Sequence, residues 1–186
     1  MLRLMAEQLE FVKFLAENLD SARIPYMLTG SVAMALYAEP RMTRDLDLVI
    51  ECPPHAVDEL IRLLEPACYL DVAVVRRAVE SHGIFNIIHR ELVIKADFIV
   101  RKDDPYRRME FSRRREEEID GFRVWVVAPE DLILSKLVWS KDSGSARQMS
   151  DVRILLSSVA GLDDDYLTRW ATHLGVTESL VKARAE

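Results

Sequence analysis

Several residue types and patterns that define common protein classes are scarce or missing in this sequence. Its 2 cysteines, Cys52 and Cys68, and its 4 histidines show no spacing typical of a metal site. No apolar run approaches the roughly 20 residues of a membrane-spanning helix, and Glu7 and Glu10 follow the N-terminus too soon for a secretory signal. We therefore expect a soluble, cytoplasmic protein with two free thiols in a reducing compartment and no membrane association.

An excess of positive charge is also missing. The chain has 25 Lys and Arg against 31 Asp and Glu, which gives a net charge of -6 and a pI of about 5.3. Non-specific binding to nucleic acid depends on surplus Lys and Arg that neutralise phosphates, so this composition argues against it and leaves room only for a local basic patch. Apolar residues are abundant, at 49% of 186 residues, which is enough for the core of one domain with a helical appendage.

Hydrophobic periodicity and turn residues predict a chain of alternating helices and strands. In the first two thirds, helical spacing occurs at residues 3–21, 31–38, 56–64 and 71–81. Strands are predicted at residues 26–29, 45–50 and 122–127, with a hairpin made of 84–89 and 92–100. After a helix start at residue 129, a flexible loop at 142–145 precedes helices at about 147–159, 164–174 and beyond 175. We therefore predict a core domain at residues 1–128 and a helical C-terminal subdomain at residues 129–186.

The most informative stretch is a short apolar strand followed by a Gly-Ser turn, a small helix and a strand that begins with two carboxylates. Because side chains alternate along a strand, Asp45 and Asp47 share one face, opposite Leu46. Two carboxylates this close both stay ionised only if a cation lies between them, and a divalent metal carrying a triphosphate would supply that charge. The amides of Gly30 and Ser31, at the start of the helix, would attract phosphate oxygens.

This pattern carries a resemblance to a known group of enzymes. Gly-Ser, a helix and then Asp-x-Asp on the next strand resemble the nucleotidyltransferase superfamily that includes DNA polymerase beta. The most similar branch is the bacterial abortive-infection, type IV toxin-like one, on the strength of Leu28-Thr29-Gly30-Ser31 and Thr43-Arg44-Asp45-Leu46-Asp47-Leu48. Nucleotidyltransferases that act on lincosamides or aminoglycosides share the same core. The resemblance implies an α/β (α+β) fold, a twisted mixed sheet flanked by helices.

The resemblance also implies an activity. A nucleoside monophosphate would pass from a nucleoside triphosphate to a hydroxyl acceptor, which could be a tRNA or other RNA end, a protein or a small molecule. Mg²⁺ or Mn²⁺ would be held by Asp45, Asp47 and Asp97, with Gly30 and Ser31 on the phosphates. A toxin–antitoxin role, with a cognate protein partner or a homodimer, would fit. The alternatives are a non-catalytic nucleotide-binding or antitoxin-like module, and an unrelated domain with coincidental acids.

Asp97 is the third carboxylate that the resemblance requires. In residues 92–100, Ala96 and Phe98 belong to a continuous apolar face, and Asp97 lies on the opposite face together with Lys95. Taken alone, an Asp near Lys95 is more often part of a surface ion pair. Because the chain also contains a Gly-Ser turn and an Asp-x-Asp strand, the interpretation of Asp97 as a site residue is favoured.

Further candidates lie around the carboxylates and in the second half of the chain. Arg44, beside the Asp-x-Asp motif, could contact phosphate or pair with the carboxylates. Lys136 either lies along an apolar surface with its ammonium in water or, as in the related branch, reaches the triphosphate. Arg147 and Asp151 resemble a further family element, but Gln148 stands where relatives often carry an acid.

The most charged section is residues 101–118, with seven arginines or lysines close to acidic runs. Neighbouring runs of opposite sign usually form a solvated face whose charges screen one another, and this interpretation is favoured here. The alternative is that the arginines between residues 107 and 115 grip the phosphates of an acceptor RNA. Only Tyr106 and Phe111 could add base stacking to such a surface.

Overall fold

The structure is a computed structural model that describes residues 2–39, 43 and 45–185. The described residues form nine α-helices and seven β-strands, and one turn of 3₁₀ helix at Pro54–Ala56. The strands are β1 Tyr26–Thr29, β2 Asp45–Ile50, β3 Cys68–Tyr69, β4 Ile84–His89, β5 Lys95–Val100, β6 Arg115–Ile119 and β7 Phe122–Val126. The helices are α1 Leu2–Ser21, α2 Gly30–Met34, α3 Val57–Leu64, α4 Val72–Ser81, α5 Pro105–Ser112, α6 Pro129–Ser143, α7 Ala146–Ser158, α8 Asp164–His173 and α9 Thr177–Ala185.

All seven strands join one mixed sheet in the order β3-β4-β5-β2-β1-β7-β6. The pairs β2 with β5 and β1 with β7 are parallel, and the other four pairs are antiparallel. The predicted mixed sheet flanked by helices is confirmed. This order places β2 and β5 side by side at the centre, so the two strands predicted to carry carboxylates are direct neighbours.

The apolar residues of the central strands fix which side chains face outward. Leu46 and Leu48 of β2 are buried, as are Ala96 and Phe98 of β5, and Phe98 stacks on Phe85 of β4 with ring centroids 4.9 Å apart. Each large apolar side chain buried in this way contributes about 1.5–3 kcal/mol. A slip of one residue would reverse the two faces, so this burial holds the carboxylates on the opposite side of the sheet.

The helix after the Gly-Ser turn is shorter than predicted. The sequence predicts a helix at residues 31–38, whereas α2 ends at Met34 and continues in tight turns. The amide of Ala35 donates to the carbonyl of Val32 at 3.2 Å, and the amide of Leu36 donates to that of Ala33 at 3.1 Å. These bonds span three residues rather than four, so the chain leaves the α-helical path early. The dipole of so short a helix is small.

Two elements in the charged section were not predicted. Helix α5 starts with Pro105, and the side chain of Asp104 caps it by accepting the amide of Arg107 at 2.9 Å. Strand β6 pairs with β7 at the edge of the sheet and carries mostly charged residues, as edge strands often do. The two-residue strand β3 was missed as well, and β5 begins at Lys95 rather than at residue 92.

The C-terminal helices pack on one another, and α6 connects them to the sheet domain. Helix α6 contacts α7, α8 and α9, and it also contacts α2 beside the Gly-Ser turn. Its start is tied to the sheet, because Val127 donates its amide to Leu28 and accepts the hydroxyl of Tyr37 through its carbonyl. The boundary between residues 128 and 129 stays a prediction. In the part of the chain that is described, no helix has both the length and the apolar character needed to cross a bilayer.

Candidate active site

Gly30 and Asp47 lie in direct contact at the end of β1. Gly30 has a φ of +67°, a conformation that side chains disfavour, and a Cβ built on it would lie 2.0 Å from Oδ2 of Asp47. Thr29, the residue before Gly30, pairs with Asp47 across the antiparallel strands β1 and β2. The turn and the second carboxylate of the Asp-x-Asp motif therefore form one surface, and only glycine fits between them.

The three predicted carboxylates share that surface. In the parallel pair formed by β2 and β5, Asp47 lies opposite Asp97, and Asp45 lies opposite Lys95. Asp45 is exposed, whereas Asp47 and Asp97 are partly buried. On the far side of Asp97 is Asn86 of β4, an exposed residue. The face is thus closed near β1 by α2 and α6 and open toward β4.

Lys95 is the cation in direct contact with two of these carboxylates. Its Nζ donates to Oδ2 of Asp97 at 2.8 Å and lies 3.8 Å from Oδ1 of Asp45. The ion pair that was weighed against a site role for Asp97 is therefore present. It does not separate Asp97 from the other acids, because Asp97 is also in register with Asp47.

The electrostatic state of Asp47 reflects crowding by negative charge. Burial raises the pKa of Asp47 to about 6, and the neighbouring carboxylates of Asp97 and Asp45 contribute to the rise. The ammonium groups of Lys136 and Lys95 oppose it only in part. The cluster as it stands is short of positive charge, and an added cation on this face would stabilise the ionised form of Asp47.

Among residues 2–39, 43 and 45–185, no group of three or more His, Cys, Asp or Glu side chains is arranged to hold a metal ion. In the arrangement described, Asp97 and Asp45 face the Lys95 ammonium. The flanking candidate Arg44 lies outside the described residues. Ser31 follows Gly30 in α2 and is partly exposed.

Lys136 is buried, and its ammonium is held by α7. Its Nζ donates to Oδ2 of Asp151 at 2.7 Å and to Oε1 of Gln148 at 3.2 Å, and only 5% of its side chain is exposed. The interpretation that its ammonium points into water is wrong, because a buried acid binds it. Gln148, the departure from the family pattern, thus contacts the same ammonium as Asp151. Arg147, the other residue of that element, is exposed.

Two arginines of the charged section, Arg107 and Arg113, bind buried acids, which neither sequence interpretation anticipated. Arg113 donates to Asp131 at 3.0 Å and to Glu130 at 2.9 Å, and both of these acids are buried. The hydroxyl of Tyr166 in α8 donates to the same Asp131, and the Arg113 guanidinium lies 3.9 Å from the Tyr166 ring centroid. We name Arg113, Glu130, Asp131 and Tyr166 the arginine cluster. It joins the end of α5 to α6 and α8, so this part of the section is structural rather than a solvated face.

A second buried acid supports the same region. Glu110 of α5 accepts hydrogen bonds from Arg107 at 2.8 Å and from Ser135 of α6 at 2.6 Å. Burial raises the pKa of Glu110, and Arg107 opposes that rise. The idea that the arginines between 107 and 115 grip an acceptor RNA loses support, because Arg107 and Arg113 already bind carboxylates.

Replacing Gly30 with Ala tests the contact between the turn and Asp47. The new Cβ would collide with Asp47, so we expect Gly30→Ala to lose nucleotide binding by at least about tenfold, on the order of 1.4 kcal/mol. Gly121→Ala is the matched control, because Gly121 also has a positive φ, of +79°, but has open space around it. Both variants should lose about 1–2 kcal/mol of folding stability through backbone strain, and Gly30→Ala should lose more because its Cβ also collides with Asp47. Equal nucleotide binding by the two variants would contradict the assigned contact.

A protein-family model matches most of the chain. Its description is nucleotidyl transferase AbiEii toxin, type IV TA system, and the match covers residues 13–177. The predicted superfamily and its abortive-infection, type IV toxin-like branch are confirmed by this match. No curated protein sequence matches the chain significantly.

Solved nucleotidyltransferase structures share the fold. An antigenic nucleotidyltransferase-like protein from Paracoccidioides brasiliensis is 19% identical with a TM-score of 0.56, covering 94% of this chain and 90% of that one. ANT(2″)-Ia in complex with adenylyl-2″-tobramycin is 15% identical with a TM-score of 0.56, covering 96% of this chain and 99% of that one. The lincomycin-bound lincosamide antibiotic adenylyltransferase LnuA is 12% identical with a TM-score of 0.53, covering 83% and 97%. At these identities the likeness concerns the fold alone.

Proposed function

We propose that this chain, which belongs to the AbiEii nucleotidyl transferase toxin family of type IV toxin–antitoxin systems, transfers a nucleoside monophosphate from a nucleoside triphosphate to a hydroxyl group. The observation that carries the proposal is the common surface formed by the Gly30 turn and the carboxylates of Asp45, Asp47 and Asp97. Family membership supports nucleotidyl transfer as the reaction class.

The donor set fits Mg²⁺ or Mn²⁺. Carboxylate oxygens are the ligands that these hard cations prefer, and the raised pKa of Asp47 marks a cluster that additional positive charge would stabilise. Asp45 and Asp47 would hold two ions, and Asp97 would hold one of them. Bound there, the ions would activate the attacking hydroxyl and neutralise the leaving pyrophosphate.

The protein's own groups would position the two substrates. The amide of Gly30 and the amide and hydroxyl of Ser31 would donate to phosphate oxygens, since the missing side chain of Gly30 lets phosphate approach the backbone. The acceptor oxygen would attack the α-phosphorus, its proton would pass to the carboxylate of Asp97, and pyrophosphate would leave. Lys136, whose charge already acts on Asp47, would offset the negative charge of the triphosphate. Arg44, beside the Asp-x-Asp motif in the sequence, would do the same.

Besides the nucleoside triphosphate, the chain would bind a protein partner and an acceptor. Membership of a toxin family supports a cognate antitoxin as partner, and a homodimer is the other arrangement to test. The acceptor belongs to one of three classes, namely an RNA end such as that of tRNA, a protein or a small molecule. The structural neighbours ANT(2″)-Ia and LnuA are named for small-molecule antibiotics, which supports testing that class beside RNA.

The test is transfer of label from the four α-phosphate-labelled nucleoside triphosphates in a cell extract with Mg²⁺. Products are separated into RNA, protein and small-molecule fractions, and wild type is compared with Asp45→Ala/Asp47→Ala. We expect label in one fraction with wild type and none with the double variant. Label in the same fraction at equal rates for both proteins would show that these carboxylates do not catalyse the reaction.

A further inference from the structure

Lys95 occupies the position between two of the carboxylates assigned to the metals. It lies opposite Asp45 in the β2–β5 pair and two residues before Asp97 on the same face of β5. Its Nζ is 2.8 Å from Oδ2 of Asp97 and 3.8 Å from Oδ1 of Asp45. The side chain bridges β2 and β5 on the surface where nucleotide chemistry is proposed.

The ammonium balances charge that would otherwise be uncompensated there. Three carboxylates lie on one face, and all three raise the pKa of Lys95, with its hydrogen bond to Asp97 as the largest cause. A lysine provides this charge reversibly, because its compact ammonium sits on a flexible four-carbon chain. About a third of the Lys95 side chain is exposed, at 37%, so it can turn into solvent without disturbing the core.

An ammonium and a divalent cation compete for the same carboxylate oxygens, because their like charges repel each other at such short distances. Oδ2 of Asp97 and Oδ1 of Asp45 are the oxygens that Lys95 approaches, and they are also oxygens available for a metal. The ammonium would repel a divalent cation at this distance. Metal binding is therefore favoured when Lys95 releases Asp97.

We propose that Lys95 is an internal counter-ion that competes with a divalent cation for Asp97 and Asp45, and that this competition lowers the metal affinity of the site. The inference rests on the proposed function, since it takes the three carboxylates as the metal ligands. At low metal concentration Lys95 keeps the site folded and closed to the cation. Once released, its partly exposed side chain can turn into solvent.

The experiment measures Mn²⁺ binding to the full chain by calorimetry and by the electron paramagnetic resonance signal of free Mn²⁺. Lys95→Met is expected to bind Mn²⁺ about tenfold more tightly than wild type, because the charge-assisted hydrogen bond from Lys95 to Asp97 no longer competes with the metal. Lys95→Arg keeps the cation and should bind like wild type. Lys102→Met, which removes an exposed lysine beyond the end of β5, is the control for overall charge.

The thermal midpoint gives a second readout on the same proteins. In EDTA, Lys95→Met should melt below wild type, and saturating Mn²⁺ should raise its midpoint by more than it raises that of wild type. Lys95→Gln, which keeps a polar group beside Asp97, replaces Lys95→Met if the latter does not fold.

Asp47→Asn separates failure of the inference from failure of the proposed function. If Asp47→Asn weakens Mn²⁺ binding but Lys95→Met leaves it unchanged or weaker, Lys95 is not a competitor and the inference is overturned while the site stands. If wild type binds no Mn²⁺, or if Asp47→Asn binds as wild type does, the proposed site is wrong and the inference falls with it.

Discussion

Asp47→Asn is expected to slow nucleotidyl transfer by at least about 10³-fold, which corresponds to about 4 kcal/mol of transition-state stabilisation. The amide keeps the size of the carboxylate but cannot supply the charge that holds a metal ion, and such an ion contributes several kcal/mol to the transition state. The same variant should be more stable than wild type in metal-free buffer at pH 7. This gain is expected if Asp47 belongs to a functional site, because groups at such sites often lower the stability of the fold that holds them.

The sign of the stability effect follows from the pKa of Asp47. Folding raises this pKa from its ordinary value of 3.8 to about 6, mainly through burial. Between these two values the folded state holds the proton more tightly than the unfolded chain, so stability falls as the pH rises from about 4 to about 6 and then stays level. The penalty above pH 6 is at most about 3 kcal/mol, since each unit of pKa is worth about 1.36 kcal/mol.

The measurement is denaturant unfolding in EDTA at pH 5 and pH 7, for wild type, Asp47→Asn and the control Asp142→Asn. Asp142 is an exposed acid near the end of α6, so its variant should keep the pH dependence of wild type. Asp47→Asn should be more stable than wild type at pH 7, and its free energy of unfolding should fall less between pH 5 and pH 7. A loss of stability at pH 7 would mean that Asp47 is not crowded by its neighbours.

Arg113→Ala is expected to destabilise the protein by about 3 kcal/mol, because it leaves the buried Asp131 without its cation and leaves Glu130 with only the more distant Arg115, at 3.9 Å. Removing one member of a buried ion pair costs about 3–5 kcal/mol, and the lower value applies since the Arg113 side chain is 28% exposed. Burial already raises the pKa of Asp131, with Arg113 and Tyr166 opposing that rise. Without Arg113, Asp131 should take up a proton at a higher pH.

The control for this prediction is Arg108→Ala, since Arg108 forms a pair with Asp103 on the surface. Exposed pairs contribute little, so its unfolding midpoint should hardly change. Arg113→Lys keeps the charge but cannot contact both acids at the same time. Its stability should therefore lie between that of wild type and that of Arg113→Ala. Equal effects of Arg113→Ala and Arg108→Ala would show that the cluster does not hold α5, α6 and α8 together.

Local patterns predicted the part of the site that lies on strands. The alternation in β2 and β5 separates buried Leu and Phe from the carboxylates of Asp45, Asp47 and Asp97, and one register of a half-buried strand satisfies it. The pairing of β2 with β5 is a contact between strands that lie far apart in the sequence. No pattern within residues 45–50 or 95–100 predicts it, and the resemblance implied only that a third carboxylate lies on a later strand.

The charged section was harder to interpret because its charges hide two local signals. Asp104 followed by Pro105 is a helix start, and Asp120 followed by Gly121, both with positive φ, is a hairpin turn. Each could have been read from the sequence, and together they define α5 and the β6–β7 hairpin. The high density of Arg and Glu favoured a solvated segment instead.

The partners of buried charges could not be predicted from spacing. Lys136 of α6 binds Asp151 of α7, and Arg113 binds acids at the start of α6. Glu130 and Asp131 look like ordinary first-turn acids that complement a helix dipole. Their burial depends on where α5 and α8 pack, which is decided by the tertiary structure.

The most direct test of the site is calorimetric binding of a non-hydrolysable nucleoside triphosphate analogue to wild type and to Asp45→Ala/Asp47→Ala, with Mg²⁺ and with EDTA. The two carboxylates and the Gly30 turn form one surface, so we predict binding by wild type only when Mg²⁺ is present, and none by the double variant. Undiminished binding by the double variant in Mg²⁺ would contradict the account and place the nucleotide elsewhere on the protein.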